Sequence, residues 1–333
     1  MLDLEKIRFG ILGCGMVANI HARAIKEIGS AELVAVCDAD TERARAFAEK
    51  HGATPFSDYS EMLAAVDAVS VCTPSSFHAE NAIDALNAGR HVVLEKPMAF
   101  TAADADRVIE AGEKNGKKIT VISQLRFSDD VLKIKKLIKD GAFGKITLCN
   151  LFMKYYRDRE YYSGSPWKGK LAFDGGGALM NQGIHGVDLV LYIMGDIRSV
   201  SGKTGTLFHN IETEDTAVAT VEYECGALGV IEASTCAYPG FERRVEIHGD
   251  RGYVIMHENK IEKLMINGEE TLVDNTPILS PSGNPSDLSV SMHRMQIKNL
   301  IDAIGGKAEL VVDAHEGKRA VEVIEKIYLS ARK

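Results

Sequence analysis

Ile7-Arg8-Phe9-Gly10-Ile11-Leu12-Gly13-Cys14-Gly15-Met16-Val17-Ala18 is the stretch that decides the fold. An apolar run over residues 7–12 reads as a strand, the glycines as a turn, and residues 17–28 as a helix. A second apolar run over 33–37 ends in Asp38, and helical character returns over 41–51. The result is a strand-helix-strand unit with a GxGxxA turn. Gly13 permits the tight turn, Gly15 lets the backbone approach a pyrophosphate, and the small Ala18 lets helix and strand pack closely. Met16 and Val17 open the helix whose free amides face the phosphates. Ordinary turn glycines would look the same in isolation; the acidic residue closing the second strand is what adds meaning. Asp38 is placed to accept hydrogen bonds from the adenosine ribose hydroxyls and to repel a 2'-phosphate. NAD is therefore expected over NADP, with Arg43 and Arg45 leaving an opening for the latter.

The alternation continues with strands over 68–72, 91–94 and 118–122 and helices over 77–88 and 102–115. Right-handed crossovers make this a parallel sheet. In such sheets, ligands bind outside the carboxyl ends of the strands. Thr73-Pro74 and Glu95-Lys96-Pro97 lie at two of those ends, the second with a proline of a kind that can be cis.

A chain of 333 residues exceeds the size at which one core keeps growing, about 250 to 300 residues, so two domains are expected, 1–122 and 123–333. The formal net charge of -8 opposes binding to nucleic acid or anionic membrane. The short basic clusters at 114–118 and 133–139 read as solvated helix faces. The N-terminus lacks the pattern of a signal peptide, and no apolar run is long enough to span a bilayer. The six cysteines show no CxxC pair. A cytoplasmic protein with reduced thiols is expected.

These residues resemble the Gfo/Idh/MocA family of glucose-fructose oxidoreductase, inositol dehydrogenase and rhizopine-catabolism proteins. The resemblance spans nearly the whole chain. It rests on Gly10-Ile11-Leu12-Gly13-Cys14-Gly15 with Ala18, Val36-Cys37-Asp38, Thr73-Pro74 followed by His78, Ala88-Gly89-Arg90-His91-Val92, Glu95-Lys96-Pro97, and the run from Gly176 to Asp188. It implies an α/β N-terminal Rossmann domain followed by an α+β domain with a mostly antiparallel open sheet. It also implies a catalytic Lys96 and a catalytic His185, with Thr73, Pro74, His78, Glu95 and Lys96 toward the cofactor. Secondary hydroxyls of sugars, sugar nucleotides and cyclic polyols are the family's main substrates. Many of its dehydrogenases carry aspartate where this chain has Asn181. Asparagine cannot exchange a proton but can orient a hydroxyl, so this departure bears on substrate. Ser128-Asp129, after Arg126-Phe127, is a second departure, at a place where proline is common.

In the second half, helical character covers 129–140, and 146–155 reads as a strand. A loop rich in aromatic and basic residues follows, containing Tyr155, Tyr156, Tyr161, Tyr162, Trp167, Arg157, Arg159 and Lys168. Such a loop can stack on a sugar or pack against protein. After three glycines, Asn181, His185 and Asp188 are spaced to share one helix face. His185 and Asp188 lack companion ligands, so no metal is expected. Strand character over 216–224, 227–235, 243–248 and 253–256 predicts an antiparallel sheet with one face available for a homodimer or homotetramer. Residues 275–286 read as a loop, and 291–304 and 313–331 as helices.

The reaction expected is hydride transfer between nicotinamide and a secondary hydroxyl of a sugar, glycoside, nucleotide sugar or cyclic polyol. His185 is the expected base, and Lys96 the donor to the developing alkoxide. Asn181 positions a neighbouring hydroxyl, and Arg126, Tyr156 and Trp167 join Lys96, Asn181 and His185 around the substrate. A non-catalytic NAD and sugar sensor is one alternative. Glycoside cleavage assisted by a recycled cofactor is another.

Overall fold

The computed structural model describes residues 6–165, 167–272 and 290–332. In chain order the elements begin with β1 (Ile7–Leu12), α1 (Met16–Lys26), β2 (Ala31–Cys37), α2 (Thr41–His51), β3 (Thr54–Phe56), α3 (Tyr59–Ala64), β4 (Ala68–Val71), α4 (His78–Asn87), β5 (His91–Leu94), α5 (Ala102–Asn115) and β6 (Ile119–Val121). They continue with α6 (Asp129–Lys139), β7 (Ile146–Lys154), α7 (Arg159–Ser163), α8 (Leu171–Asp174), a π-helical turn (Ala178–Gly183) and α9 (Ile184–Met194). Then come β8 (Ile197–Gly205), β9 (Thr216–Tyr223), β10 (Leu228–Ser234), β11 (Arg244–Gly249), β12 (Gly252–His257), β13 (Lys260–Ile266), β14 (Glu269–Leu272), α10 (Val290–Ile304) and α11 (Ala314–Ala331). The loop expected over 275–286 lies outside the described residues.

The chain divides into two compact units. One contains the described residues up to Gln124 together with those from Val290 to Lys318. Its six strands run parallel in the order β3-β2-β1-β4-β5-β6. Strands buried on both faces read as continuous apolar runs, and Ala68–Val71 is buried throughout. Helix starts are fixed chemically: the side chains of Asp40, Asp58 and Thr101 accept hydrogen bonds from amides in the first turns of α2, α3 and α5.

Gly13 combines a left-handed backbone with a close backbone approach. It has φ +87, and a Cβ added there would meet the Cys72 carbonyl group at 2.7 Å and the Thr73 amide nitrogen at 2.8 Å. The end of β1 thus passes against the end of β4 with room for no side chain.

The division differs from the expected single C-terminal domain over 123–333. Helix α10 belongs to the first unit, for two reasons. Its Ile297, Leu300 and Ile301 join the core formed with Ala18, Ala22 and Ile25 of α1. Gln296, fully buried, also donates to Thr120 Oγ1 (2.9 Å) and the Val121 carbonyl (2.7 Å) and accepts from the Ser123 amide (3.0 Å). Polar groups beside edge strand β6 are paired in this way.

The second unit contains Leu125 through the described strands and resumes at Arg319. Its eight strands are ordered β14-β13-β12-β11-β7-β10-β9-β8. All neighbours are antiparallel except β7 and β10. Strand β9 alternates buried Ala217, Ala219 and Val221 with outward residues, the period of a sheet covered on one face.

Gly13→Ala is expected to cost about 2 kcal/mol or more, because it combines left-handed strain with a backbone clash. A lowered Tm checks this; an unchanged Tm would contradict the stated constraint.

Candidate functional site

The first unit carries the features of a dinucleotide site. Gly15 is the N-cap of α1 and supplies no side chain to the first-turn amides, and a Cβ added to it would meet nothing within 4 Å. Free amides beside open space suit a pyrophosphate. Met16 is 61% exposed at that end, and Ala18 is buried against the sheet. Asp38, at the end of β2, accepts from the amides of Cys14 (2.7 Å) and Asp40 (2.9 Å). Arg43 donates to both of its oxygens, Nε at 2.9 Å and an Nη at 2.6 Å. Burial pushes the Asp38 carboxyl up, but the Arg43 hydrogen bonds and the two amides outweigh it and hold it below its ordinary value. Asp38 is thus an ionised carboxylate at the end of β2. Arg43 and Arg45, the two openings for NADP, are engaged with carboxylates of Asp38 and Glu42.

The turns after β4 and β5 hold the next group. Thr73 donates its hydroxyl proton to Asn81 Oδ1 (3.0 Å), and the Lys96-Pro97 peptide bond is cis. Pro74 is exposed, while Lys96 is half-buried. His78 was expected toward the cofactor, but the structure buries it to 1% exposure between the two turns. Its Nδ1 faces the Pro97 carbonyl at 2.7 Å and its Nε2 the Thr73 carbonyl at 2.9 Å. The neutral ring, which has one N–H, donates to one of these carbonyls and packs between the two turns.

Glu95 is likewise buried, against His21 Nε2 (2.9 Å) and the Lys96 amide (3.2 Å). Burial alone pushes its carboxyl up. The His21 hydrogen bond and the positive fields of His21, His293 and Lys96 outweigh this and hold it well below the carboxylate range. An ionised Glu95 therefore sits beneath Lys96.

In the second unit Asn181 lies in the π-helical turn and half-buried His185 in the first turn of α9. His185 and Asp188 both lie on α9, three residues apart, while Asn181 lies before it. The wider π-turn precedes His185, and the buried Asp188 is taken by Arg126 through Nε (3.0 Å) and an Nη (2.6 Å). Arg126, expected at the substrate, is 1% exposed in this ion pair. The pair therefore braces α9 from the segment before α6. Tyr156 packs edge-on against Tyr238 at 5.2 Å, and Trp167 is half-buried beside Lys168.

Several site residues were missed by sequence reasoning. Asn181 donates its amide to Asp174 (2.9 Å), whose other oxygen takes the Gly169 amide (2.6 Å). Gln182 donates to Asn181 Oδ1 (3.2 Å) and to the Tyr161 hydroxyl (3.1 Å), and accepts from Arg157 (2.9 Å). Lys168 lies 3.6 Å over the Tyr161 ring, and burial pushes its pKa down. Glu214 accepts from the amides of Gly177 (2.8 Å) and Leu179 (2.9 Å) and from Tyr328 (2.7 Å), fixing the entry to the π-turn. A Cβ at Gly177 would sit 1.8 Å from the Glu214 carbonyl oxygen, so glycine is required there. Non-local pairings of this kind leave no periodic signal in the sequence.

A parallel sheet with an uncapped glycine turn and an ionised carboxylate closing β2 is the architecture of a dinucleotide-binding protein. The family models agree: "Oxidoreductase family, NAD-binding Rossmann fold" matches residues 7–123, and "GFO/IDH/MocA C-terminal domain" matches 131–255. The chain belongs to the Gfo/Idh/MocA oxidoreductase family. Its relatives include the WlbA dehydrogenase of Bordetella pertussis, solved with NADH and UDP-GlcNAcA, at 36% identity. That match covers 99% of this chain and 97% of the other, with a TM-score of 0.88. The myo-inositol 2-dehydrogenase of Thermotoga maritima is 30% identical, covering 79% of each chain. The D-glucoside 3-dehydrogenase of Escherichia coli is 28% identical, covering 98% of this chain and 95% of the relative. Among the described residues no helix is long and apolar enough to cross a membrane.

The Glu95 charge has a pH signature. Its folded pKa lies below the unfolded value of about 4.3, so its contribution is present above about pH 4.3 and is lost as pH falls toward the folded value. Glu95→Gln is expected to cost about 1.5–3 kcal/mol at pH 7. The Tm gap to the wild type should close as pH falls through the carboxylate range; a gap constant from pH 7 to pH 3 would show that the charge is not what matters.

Proposed function

We propose that this chain is an NAD-dependent dehydrogenase acting on a secondary ring hydroxyl of a nucleotide-linked sugar that bears an anionic group. The observation that carries this reading is the cationic and aromatic cluster beside the amide pair. Arg157 and Lys168 flank the Tyr161 ring at 5.4 and 3.6 Å, and Arg157 and Tyr161 both bond Gln182, the neighbour of Asn181. Guanidinium and ammonium groups beside an aromatic ring suit a carboxylate or diphosphate attached to a sugar. The WlbA relative, with UDP-GlcNAcA in its structure, is 36% identical over 99% of this chain, against 30% over 79% for the Thermotoga maritima inositol enzyme and 28% over 98% for the Escherichia coli glucoside enzyme.

Bound NAD would supply the hydride acceptor for the carbon that carries the hydroxyl. In this reading His185 takes the hydroxyl proton, since an imidazole titrating near ~6.5 accepts protons around neutral pH. Lys96 donates a hydrogen bond to the developing alkoxide, with Glu95 ionised next to it in sequence. Asn181, its amide fixed by Asp174, orients a neighbouring hydroxyl through its carbonyl oxygen.

The test is NADH absorbance with matched nucleotide sugars, with and without a sugar carboxylate, beside inositols and simple glycosides. Turnover should favour the nucleotide-linked acid and fall about 10²–10⁴-fold in His185→Ala. Turnover on inositol alone, or an unaffected His185→Ala, would overturn the reading.

We also propose a cytoplasmic homo-oligomer. All six cysteines are free, as suits a reducing compartment. The outer face of the second sheet exposes Leu148, Val218 and Leu228 (43%, 45% and 58%), with Leu228 directly opposite Leu148 across the ladder. Light scattering on the purified chain should give a dimer or tetramer mass, and Leu228→Glu should lower it; a monomer in the wild type contradicts the proposal.

A further inference from the structure

His209, Asp215 and Cys236 lie in the second unit, outside the groups assigned above to cofactor or substrate. His209 and Asp215 sit in the connection between β8 and β9, and Cys236 two residues past the end of β10. Each offers one ligand atom, all within 4.8 Å of one another. The side chains of His209 and Asp215 are 2% and 0% exposed, while Cys236 is partly open.

The hydrogen bonds around the cluster fix its chemistry. His209 Nε2 lies 2.9 Å from the Arg157 carbonyl oxygen. A carbonyl can only accept, so Nε2 carries the proton and Nδ1 of the neutral ring presents a bare lone pair. That lone pair faces Asp215 Oδ2 at 3.4 Å and Cys236 Sγ at 3.6 Å. Asp215 is held as an anion by three backbone amides: Leu207 to Oδ1, and Phe208 and His209 to Oδ2, at 2.8, 2.8 and 2.9 Å. The Cys236 amide is tied to Ser234 Oγ (3.0 Å), and its sulfur lies 3.8 Å from the Asp215 carbonyl oxygen and 4.0 Å from Thr216 Oγ1. Without a metal the Cys236 S–H can donate to His209 Nδ1 or to the Asp215 carbonyl; on giving up that proton to solvent it leaves an imidazole nitrogen, a carboxylate oxygen and a thiolate converging.

A second proton on His209 would be one way to reconcile them, but the distances do not suit it. A charged N–H to carboxylate hydrogen bond is about 2.7–2.9 Å long, and one proton can serve only one of the two acceptors. Tetrahedral zinc, with bonds of about 2.0–2.2 Å to nitrogen and oxygen and about 2.3 Å to sulfur, separates N from O by about 3.3–3.4 Å and N from S by about 3.5–3.6 Å. The observed separations are 3.4 and 3.6 Å. The imidazole bonded by its far nitrogen to a backbone carbonyl, and the carboxylate fixed by amides, are the outer supports that zinc ligands ordinarily have.

We propose that His209 Nδ1, Asp215 Oδ2 and Cys236 Sγ form a zinc site, with the fourth position on the open side at Cys236. Its role is structural. The ion joins the connection before β9 to the segment after β10, and through the Arg157 carbonyl it anchors the aromatic loop that also carries Tyr161 and Tyr162. Tyr162 already lies 4.7 Å from the His209 ring and bonds Thr235 Oγ1 at 3.1 Å. The proposal does not depend on the substrate assigned above.

The experiment titrates the chelator-stripped full chain with Zn2+ against a chromophoric chelator, and with Co2+ while recording the near-ultraviolet thiolate-to-cobalt band. One ion per chain, a thiolate band, and affinity reduced at least 100-fold in both Cys236→Ala and His209→Gln are expected. Cys225→Ala, which alters the exposed cysteine, should bind as the wild type does. Absence of the thiolate band in the wild type, or binding unchanged in Cys236→Ala, overturns the proposal. Should Cys236→Ala not fold, the wild-type cobalt spectrum and Cys236→Ser decide the question without it.

Discussion

Functional turns leave backbone amides without helix or strand partners, and such amides must find acceptors when buried. Carboxylates meet that requirement throughout this chain. Asp38 takes the amides of Cys14 and Asp40, Asp174 that of Gly169, Glu214 those of Gly177 and Leu179, and Asp215 three in succession from Leu207 to His209. The same charges then serve chemistry. Asp38 closes β2 as an anion, Asp174 orients Asn181, and Glu214 and Asp215, adjacent in sequence, hold the π-turn on one side and the histidine-cysteine cluster on the other.

This arrangement makes position and charge state inseparable. A carboxylate that receives several amides stays ionised, as Asp215 does, although burial opposes it. At Glu214 burial prevails, and its carboxyl is raised despite its bonds to Leu179, Tyr328 and Gly177. The two neighbours, each bonded to backbone, thus respond in opposite directions. Asp215 accepts three amides in succession and Glu214 two amides and a hydroxyl, a difference that only the folded chain sets.

The first unit was legible because its strands are buried on both faces and its turn chemistry is local. The apolar runs ending at Leu12 and Cys37 and the acid at Asp38 needed no partner information. Thr54–Phe56 escaped notice because it is three residues long, contains a proline and is largely exposed. In the second unit β8 is mostly polar, as expected of a one-sided edge strand, and β13 and β14 carry many charges. The parallel pairing of β7 with β10 has no periodic trace at all. Site residues followed the same rule: Lys96 and Asn181 belong to local motifs, whereas Arg126 needed Asp188, 62 residues away, before its place could be known.

Helix α10 completes the core of a unit whose sheet and first five helices were all made far earlier in synthesis. Until its Ile297, Leu300 and Ile301 leave the ribosome, the apolar surface of α1 at Ala18, Ala22 and Ile25 lacks its cover. At about 5–20 residues per second, translating the intervening sheet takes on the order of ten seconds. During that interval this apolar surface of the nascent unit stays in contact with water. The order of synthesis and the order of burial are therefore offset in this protein.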